Sequence, residues 1–528
     1  MKNKLKTKLA SLLAIALLFT SCTVKTPSDL SKAGVIPKPV SVTSTGEYFT
    51  IKQGTAIYTK GESPEIRNVA QFLADHLKPA TGFSFEVGTA PEKANQGNIW
   101  LELSSDSSRL GDEGYNLTIT SKDLKLTAKT TAGLYMGVQT IRQLLPAAIE
   151  MNSVQQVTWT IATGTITDYP EYSYRGAMLD VARHFFSIET VKKFIDEISY
   201  YKINTLHLHL SDDQGWRVEI KSWPNLTAIG GKTQIDGGKG GFYTQEQYAD
   251  IVKYAQERYI TIIPEIDMPG HAYAALSSYA ELNCDGKARD IMNRKDMKSN
   301  TFCTKKELTY KFIDDVMKEL AAMTPGKYLH IGGDESYDTK KEDYIPFMNR
   351  VQDIVNSHGK QVLAWDEISA ATVKNGSVAQ YWSNSKNAAE AVKQGAKIVF
   401  SPATRAYLDM QYDSTSKFGL HWAAYVEVDS AYIWDPAKMV PGIGKENILG
   451  VEAPLWSETI SNSSEIEYLA FPRLPGIAEV GWTAPASRSW DEYKVRLGMH
   501  GSRMKAMGID YYPSKKITWG DENSTTIK

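Results

Sequence analysis

The sequence predicts an α/β fold, a (β/α)8 TIM barrel preceded by a small α+β domain, and three observations carry that prediction. After Tyr169 and Pro170 the chain settles into a repeated unit of short apolar strand, polar turn and amphipathic helix. Eight such strands can be placed before the last of them ends at Trp456, the number a closed parallel barrel needs. Polar and aromatic residues gather where each strand ends, the face on which barrels of this kind build their sites. A doubly wound open sheet also alternates strands and helices, and it is the competing architecture.

The chain opens with MKNKLKTKLASLLAIALLFTSC: four lysines, an apolar run from Leu9 to Phe19, then small and polar residues ending in Cys22. Residues 1–21 have the pattern of a secretory signal peptide, too short and wrongly flanked for a spanning helix. The segment Leu18 to Cys22, LFTSC, resembles a bacterial lipobox. That implies an exported lipoprotein, with Cys22 lipidated and holding the chain at a membrane; plain secretion is the alternative. Residues 22–33, rich in Ser, Thr, Lys and Pro, suit a tether.

Removal of the signal takes four lysines and no acids, moving the net charge from -2 to about -6. That balance gives nucleic acid no footing. The other cysteines, Cys284 and Cys303, can form a disulfide in an exported chain, with two free buried thiols as the alternative. No Cys/His cluster has zinc-site spacing, so neither a metal nor another cofactor is expected.

Residues 34–169 mix β-patterned segments, such as IWLELSS and YNLTITSKDLKLTAK, with helical stretches at Glu65 to His76 and Thr131 to Leu145. They read as a small α+β domain without a tight cluster of Asp, Glu and His. Residues 170–528 hold the barrel and a C-terminal helical segment. Its strands are GAMLDVA (176–182), TLHLHLS (205–211), YITIIPEID (259–267), YLHIGGDE (328–335), QVLAWDE (361–367), VAQYW (378–382), AKIVFS (396–401) and ILGVEAPLW (448–456). Helical patterns such as IETVKKFIDEISYYK and TQEQYADIVKYAQERY stand between them.

The strand ends read together as one rim. In order they offer Asp180 and Arg183; Asp212 and Asp213; Glu265, Asp267 and His271; Asp334 and Glu335; Trp365, Asp366 and Glu367; Trp382; Tyr407 and Asp409; Trp456 and Glu458. A pocket of carboxylates walled by aromatic rings, without a metal or nucleotide motif, suits the cleavage of a sugar. A glycosidic bond needs an acid for its leaving oxygen and a negative or nucleophilic group for the oxocarbenium-like carbon. Aromatic faces pack on sugar rings, and Arg, Asp and Glu bind hydroxyls.

Within HIGGDES the neighbours Asp334 and Glu335 would point to opposite sides of a continuing strand. Gly332 and Gly333 let the chain turn, so that both acids can reach one ligand, one at the leaving group and one at a neighbouring substituent. Taken alone, the pair also reads as loop charge or a helix cap.

HLHLSDDQGWR, PEIDMPGH, HIGGDE, LAWDE, YLD and PLWSE together resemble the family 20 glycoside hydrolases, the β-N-acetylhexosaminidases, over roughly residues 35 to 500. The resemblance implies an exo-acting, retaining enzyme that removes terminal non-reducing GlcNAc or GalNAc from glycans by substrate-assisted catalysis. The substrate's acetamido oxygen is then the nucleophile and an oxazolinium ring the intermediate. It implies that Glu335 is the general acid, with its pKa tuned upward, and that Asp334 orients the acetamido group and stabilises the ring's charge. Trp365, Trp382 and Trp456 would wall the acetamido pocket, and Tyr407 would donate to the carbonyl oxygen. Arg183, Asp409 and Glu458 would hold ring hydroxyls, Trp422 in GLHW would line the same subsite, and Asp213 and His271 would set the charge and position of Glu335.

Asp212 reads instead as a holder of the DDQGWR turn, and Asp366 and Glu367 as structural or as support for the site. At least one of His207 and His209 reads as an interior histidine, while Glu265 and Asp267 receive no role. The alternatives are a lacto-N-biosidase of the same fold and a non-catalytic surface glycan-binding protein. Intact YLD and GLHW, with Asp334 and Glu335 both present, favour the exo-hexosaminidase.

Overall fold

The computed structural model describes residues 28–61, 63–89, 91–104, 110–290 and 300–520. The signal segment and Cys22 lie outside the described residues.

The N-terminal domain is a seven-stranded mixed sheet in the order Ser41–Ile51, Trp159–Asp168, Tyr115–Ile119, Leu124–Ala128, Ile99–Leu103, Ile57–Lys60 and Val87–Thr89. Every second side chain of Tyr115–Ile119 and Leu124–Ala128 is buried, as the two-residue period of a strand requires. Helices Pro64–Thr81 and Thr131–Leu144 share that core, through Val69, Leu73 and Leu77 from one and Leu134, Val138 and Ile141 from the other. Each begins at a hydroxyl cap: Ser63 Oγ accepts from the Ile66 N–H at 3.4 Å, and Thr130 Oγ1 from the Gly133 N–H at 3.3 Å.

Eight parallel strands then close into a barrel: Tyr174–Asp180, Thr205–His209, Thr261–Glu265, Tyr328–His330, Gln361–Trp365, Val378–Tyr381, Lys397–Phe400 and Ile448–Leu455. The last pairs with the first, Val451 opposite Arg175 and Leu455 opposite Leu179, and this closure excludes the open sheet.

The barrel interior is layered. Tyr174, Ile263, Leu363, Val378 and Val399 form an apolar plug. One inward step further along their strands stand Glu265, Trp365 and Gln380, joined by His207, His330 and Glu452, all buried. Gly176 makes room for this polar layer, since a Cβ there would lie 2.7 Å from Glu452 Oε2.

Asp168, at the end of the N-terminal sheet, ties the two domains together. Its carboxylate accepts from Tyr115 Oη (2.7 Å), from Lys202 Nζ (2.9 Å) just before the second barrel strand, and from Trp482 Nε1 (2.8 Å). Trp482 ends the helix Arg473–Trp482 and is part of the N-terminal core. The helix Trp490–Ala506 also reaches back, with Arg496 Nη1 donating to the Val35 carbonyl at 2.9 Å and Arg503 Nη2 to the Gln143 carbonyl at 2.6 Å. Cys284 and Cys303 are joined in a disulfide that closes a loop after the third barrel strand.

Candidate active site

The site is assembled by turns at the C-terminal ends of the strands. After the first strand, the Asp180 carboxylate accepts from the backbone N–H groups of Ala182 (2.8 Å) and Arg183 (3.1 Å), and from that of Ser457 after the eighth strand (3.0 Å). This turn aims Arg183 across the rim. Its guanidinium meets Asp212 Oδ2 at 2.8 Å and lies 4.8 Å from the Trp456 ring centroid.

The fourth strand stops at His330, and Gly332 (φ 61°), Gly333 (φ 103°) and Glu335 (φ 44°) all take left-handed backbone. A Cβ on Gly332 would sit 1.7 Å from Asp267 Oδ1, so only glycine fits there, and that same oxygen accepts the Gly333 N–H at 3.1 Å. At Glu335, which has a Cβ, the conformation costs roughly 1–2 kcal/mol. Its consequence is that neighbouring acids converge: His271 Nε2 lies 3.9 Å from Asp334 Oδ2 and 3.6 Å from Glu335 Oε2.

A ladder of alternating acids and histidines climbs to this rim from the barrel interior. His207 joins Glu452 (3.0 Å) to Glu265 (2.9 Å), and His209 joins Glu265 (2.5 Å) to Asp212 (2.8 Å). Glu265 also accepts from Trp365 Nε1 at 3.0 Å and has His330 Nδ1 at 3.0 Å. Asp212 then faces Arg183 and, at 3.4 Å, His271. Three groups among the described residues, the first His207, Glu265 and His330, the second Asp212, Asp267 and His271, and the third His271, Asp334 and Glu335, have ligand atoms close enough to share a cation. In the first, the His207 and Glu265 hydrogen bonds are taken up within the ladder.

Burial opposes charge on these groups, and their neighbours decide the outcome. Burial would lower His207, but Glu452 and Glu265 lift it to about 9, and Glu265 with Asp212 holds His209 well above the ordinary histidine range. Asp212 is held far below the usual carboxylate range because Arg183 and His271 outweigh its burial. His271 is likewise raised, against its burial, by Asp212 and Glu335. Glu335 therefore faces a cation, and the His271 hydrogen bond, stronger than its partial burial, lowers its pKa. The upward tuning expected from the sequence is thus not a property of the free site. Asp334 behaves oppositely: burial pushes it up to about 6, with Glu265 and Glu335 adding to the shift and His271 opposing it.

These groups open onto a cavity of about 380 Å³. It brings together Arg183, Asp213, His271, Asp334, Glu335, Trp382, Tyr407, Asp409, Trp422, Trp456 and Glu458. Trp365 is not among the wall residues: the ring is 1% exposed and packs 5.9 Å from that of Trp456. It shares the inward face of its strand with Leu363, and its N–H is spent on Glu265, which makes it part of the floor rather than the wall.

The expected partnership of Asp213 with Glu335 is also corrected. Asp213 accepts from the Tyr273 N–H (3.1 Å) and from Asn300 Nδ2 (2.8 Å), and lies 3.9 Å from His271, so it holds a loop. Asp212, expected to hold a turn, is the nearer partner of both His271 and Arg183. Glu367 accepts from Trp382 Nε1 at 3.2 Å, and Asp366 from the Trp382 N–H at 3.2 Å, so this pair positions a cavity wall. Gln214 and Leu420 line the cavity without having been singled out. Asp334 Oδ1 and Asp409 Oδ1 are buried and find no hydrogen-bond partner among the described residues.

The chain matches the models of the glycosyl hydrolase family 20 catalytic domain over residues 172–485 and of family 20 domain 2 over residues 32–169. It is 38% identical over 493 residues to a β-N-acetylhexosaminidase of Cellulomonas fimi, covering 92% of this chain and 97% of that protein. The N-acetyl-β-hexosaminidase of Streptomyces plicatus, solved in complex with Thio-NAglucal, superposes with a TM-score of 0.90 at 48% identity, over 94% of this chain and 99% of that one. The family 20 β-N-acetylhexosaminidase of Streptomyces coelicolor A3(2) also gives 0.90 at 48% identity, over 94% and 100% of the two chains. Both domains of one family follow each other here in a single chain, and the protein belongs to glycosyl hydrolase family 20.

Proposed function

We propose that the protein is an exo-acting, retaining β-N-acetylhexosaminidase that releases terminal GlcNAc or GalNAc from glycans, with the substrate's acetamido oxygen as nucleophile. The observation that carries this reading is the convergence of Asp334 and Glu335 on His271 from a single strand end, with Asp334 Oδ1 buried and unpaired. Two acids on one side cannot flank an anomeric carbon as acid and protein nucleophile do. A buried acceptor without a donor is costly, and the acetamido N–H supplies the donor.

In the free site the proton of the His271–Glu335 pair resides on His271. A sugar that covers the exposed edge of Glu335 desolvates its carboxylate and shifts the proton toward it. Glu335 then protonates the glycosidic oxygen as the acetamido oxygen attacks C1 and the C1–O bond breaks. The oxazolinium ring that results carries positive charge beside ionised Asp334. Glu335, now a base, takes a proton from the water that opens the ring, and two inversions leave the configuration retained. Trp382 and Trp456 confine the acetamido methyl, Tyr407 donates to its carbonyl oxygen, and Arg183, Asp409 and Glu458 take the ring hydroxyls. Trp365 and the ladder close the inner end of the cavity, which favours a terminal sugar.

The test is turnover of aryl N-acetyl-β-glucosaminide and N-acetyl-β-galactosaminide beside a lacto-N-biose glycoside. Cleavage of at least one of the first two, without release of the disaccharide, is expected. Glu335→Gln should lower turnover by ~10²–10⁴-fold. A thiazoline derived from GlcNAc should bind far more tightly than GlcNAc, and equal affinities would sink substrate assistance. We also propose that the enzyme is exported and anchored through Cys22, a reading supported by the LFTSC segment. Cys22→Ser should move activity from membranes to the soluble fraction, and retention at the membrane would refute the anchor.

A further inference from the structure

We infer that Tyr337 forms the leaving-group side of the substrate site: its phenol caps the outward oxygen of Glu335 in the free enzyme, and its ring is the platform on which the departing sugar lies. This inference rests on the hexosaminidase reading of the site.

Among the described residues Tyr337 is the most exposed large hydrophobic side chain, at 85%, so packing does not explain it. It is nevertheless tied to the acid twice. Its hydroxyl donates to Glu335 Oε1 at 3.1 Å, and its backbone N–H donates to the Glu335 carbonyl at 2.6 Å. The two oxygens of Glu335 thus face different ways: Oε2 is the one near His271, at 3.6 Å, and Oε1 the one under Tyr337. The glycosidic oxygen meets Oε1, the oxygen turned away from His271, and the carboxyl group, protonated on its His271 side, turns about its last bond to present the proton there. What lies beyond the glycosidic oxygen is the leaving group, so a ring hinged to Oε1 stands on the leaving-group side and outside the pocket of the terminal sugar.

The loop after the seventh strand supplies a second exposed ring. Trp422 lines the cavity at 57% exposure, and its ring lies 6.1 Å from those of Trp382 and Tyr407. Tyr337 follows the fourth barrel strand and Trp422 the seventh, three places apart in a ring of eight. When a glycosidic oxygen takes the place of the phenol on Oε1, the Tyr337 ring is released from its hydrogen bond. It can then lie on the apolar face of a β-linked sugar or an aryl group.

The test compares N,N′-diacetylchitobiose with methyl N-acetyl-β-glucosaminide, substrates that share the terminal sugar and differ in the leaving group. Tyr337→Ala should lower kcat/KM for the disaccharide about five- to tenfold more than for the methyl glycoside, mainly through KM. Tyr337→Phe keeps the ring and should preserve the wild-type ratio between the two substrates. Equal losses on both substrates in the alanine variant, or a phenylalanine variant that loses the ratio as alanine does, would overturn the inference and leave the hexosaminidase reading standing. A wild-type enzyme selective for GalNAc is tested with the same pair of leaving groups on terminal GlcNAc's C4 epimer, and failure on terminal GlcNAc and terminal GalNAc alike would overturn that reading, and the inference with it.

Discussion

At the scale of single residues, Asp334 shows how a site can work against the stability of its own fold. Its carboxylate is buried, with one oxygen unpaired, and burial raises its pKa to about 6. Such a shift is a stability statement. Between about pH 4, where an unfolded aspartate loses its proton, and about pH 6, the folded protein binds more protons than the unfolded chain. The stability is therefore fully present below about pH 4 and is lost as the pH rises through about 6. Asp334→Asn removes the charge and should stabilise the fold at pH 7 by up to roughly 3 kcal/mol, a gain that fades toward pH 4. Turnover should fall ~10²–10³-fold, because the charge opposite the oxazolinium ring is gone. Denaturant melts at the two pH values decide, and a gain that is equal at both would show that the unpaired carboxylate is not its source. The adjacency that concentrates this function was legible in HIGGDES. The left-handed turn at Glu335 was not, because nothing in a Glu residue announces a positive φ.

At the scale of elements, all eight barrel strands could be read from apolar runs bounded by polar turns, and so could the interior position of a histidine in LHLHL. What the histidines meet could not. Glu265 lies 56 residues beyond His209, and Glu452 lies 245 residues beyond His207, so closure of the barrel alone brings them together. The choice between Asp212 and Asp213 was equally hidden. A strand period of two would have sorted them, but the chain turns there into a short hairpin, Ser211–Asp212 against Gly215–Trp216, and the period is broken. Trp365 is a different case, since it shares strand parity with Leu363 of the plug. Parity could have placed it in the floor, but its position at a strand end drew it to the rim. Tyr337 carried no signal at all, because an aromatic residue in a loop becomes informative only when its exposure and its bond to Glu335 are seen.

At the scale of the molecule, the α+β domain, to which the sequence assigned no task, is locked to the barrel that carries the site. Trp482 from the barrel's helical layer completes the N-terminal core, Arg175 binds Glu113 through two hydrogen bonds of 2.9 and 2.7 Å, and Asp168 meets Lys202 where both are fully buried. Lys202 stands at the entrance to the strand that carries His207 and His209, so the junction and the ladder share one segment of backbone. Removing one member of a buried pair leaves the other charged and without a partner, which costs more than removing both. Asp168→Ala should therefore destabilise the protein by about 3–5 kcal/mol. The double variant Asp168→Ala, Lys202→Met should recover much of that loss, because no ammonium is then left buried and alone. Calorimetry at pH 7 measures both effects. If the N-terminal domain is part of one cooperative unit, the single variant lowers the melting temperature of a single transition. A separate early transition, with the barrel melting as in the wild type, would show instead that the site stands on the barrel alone.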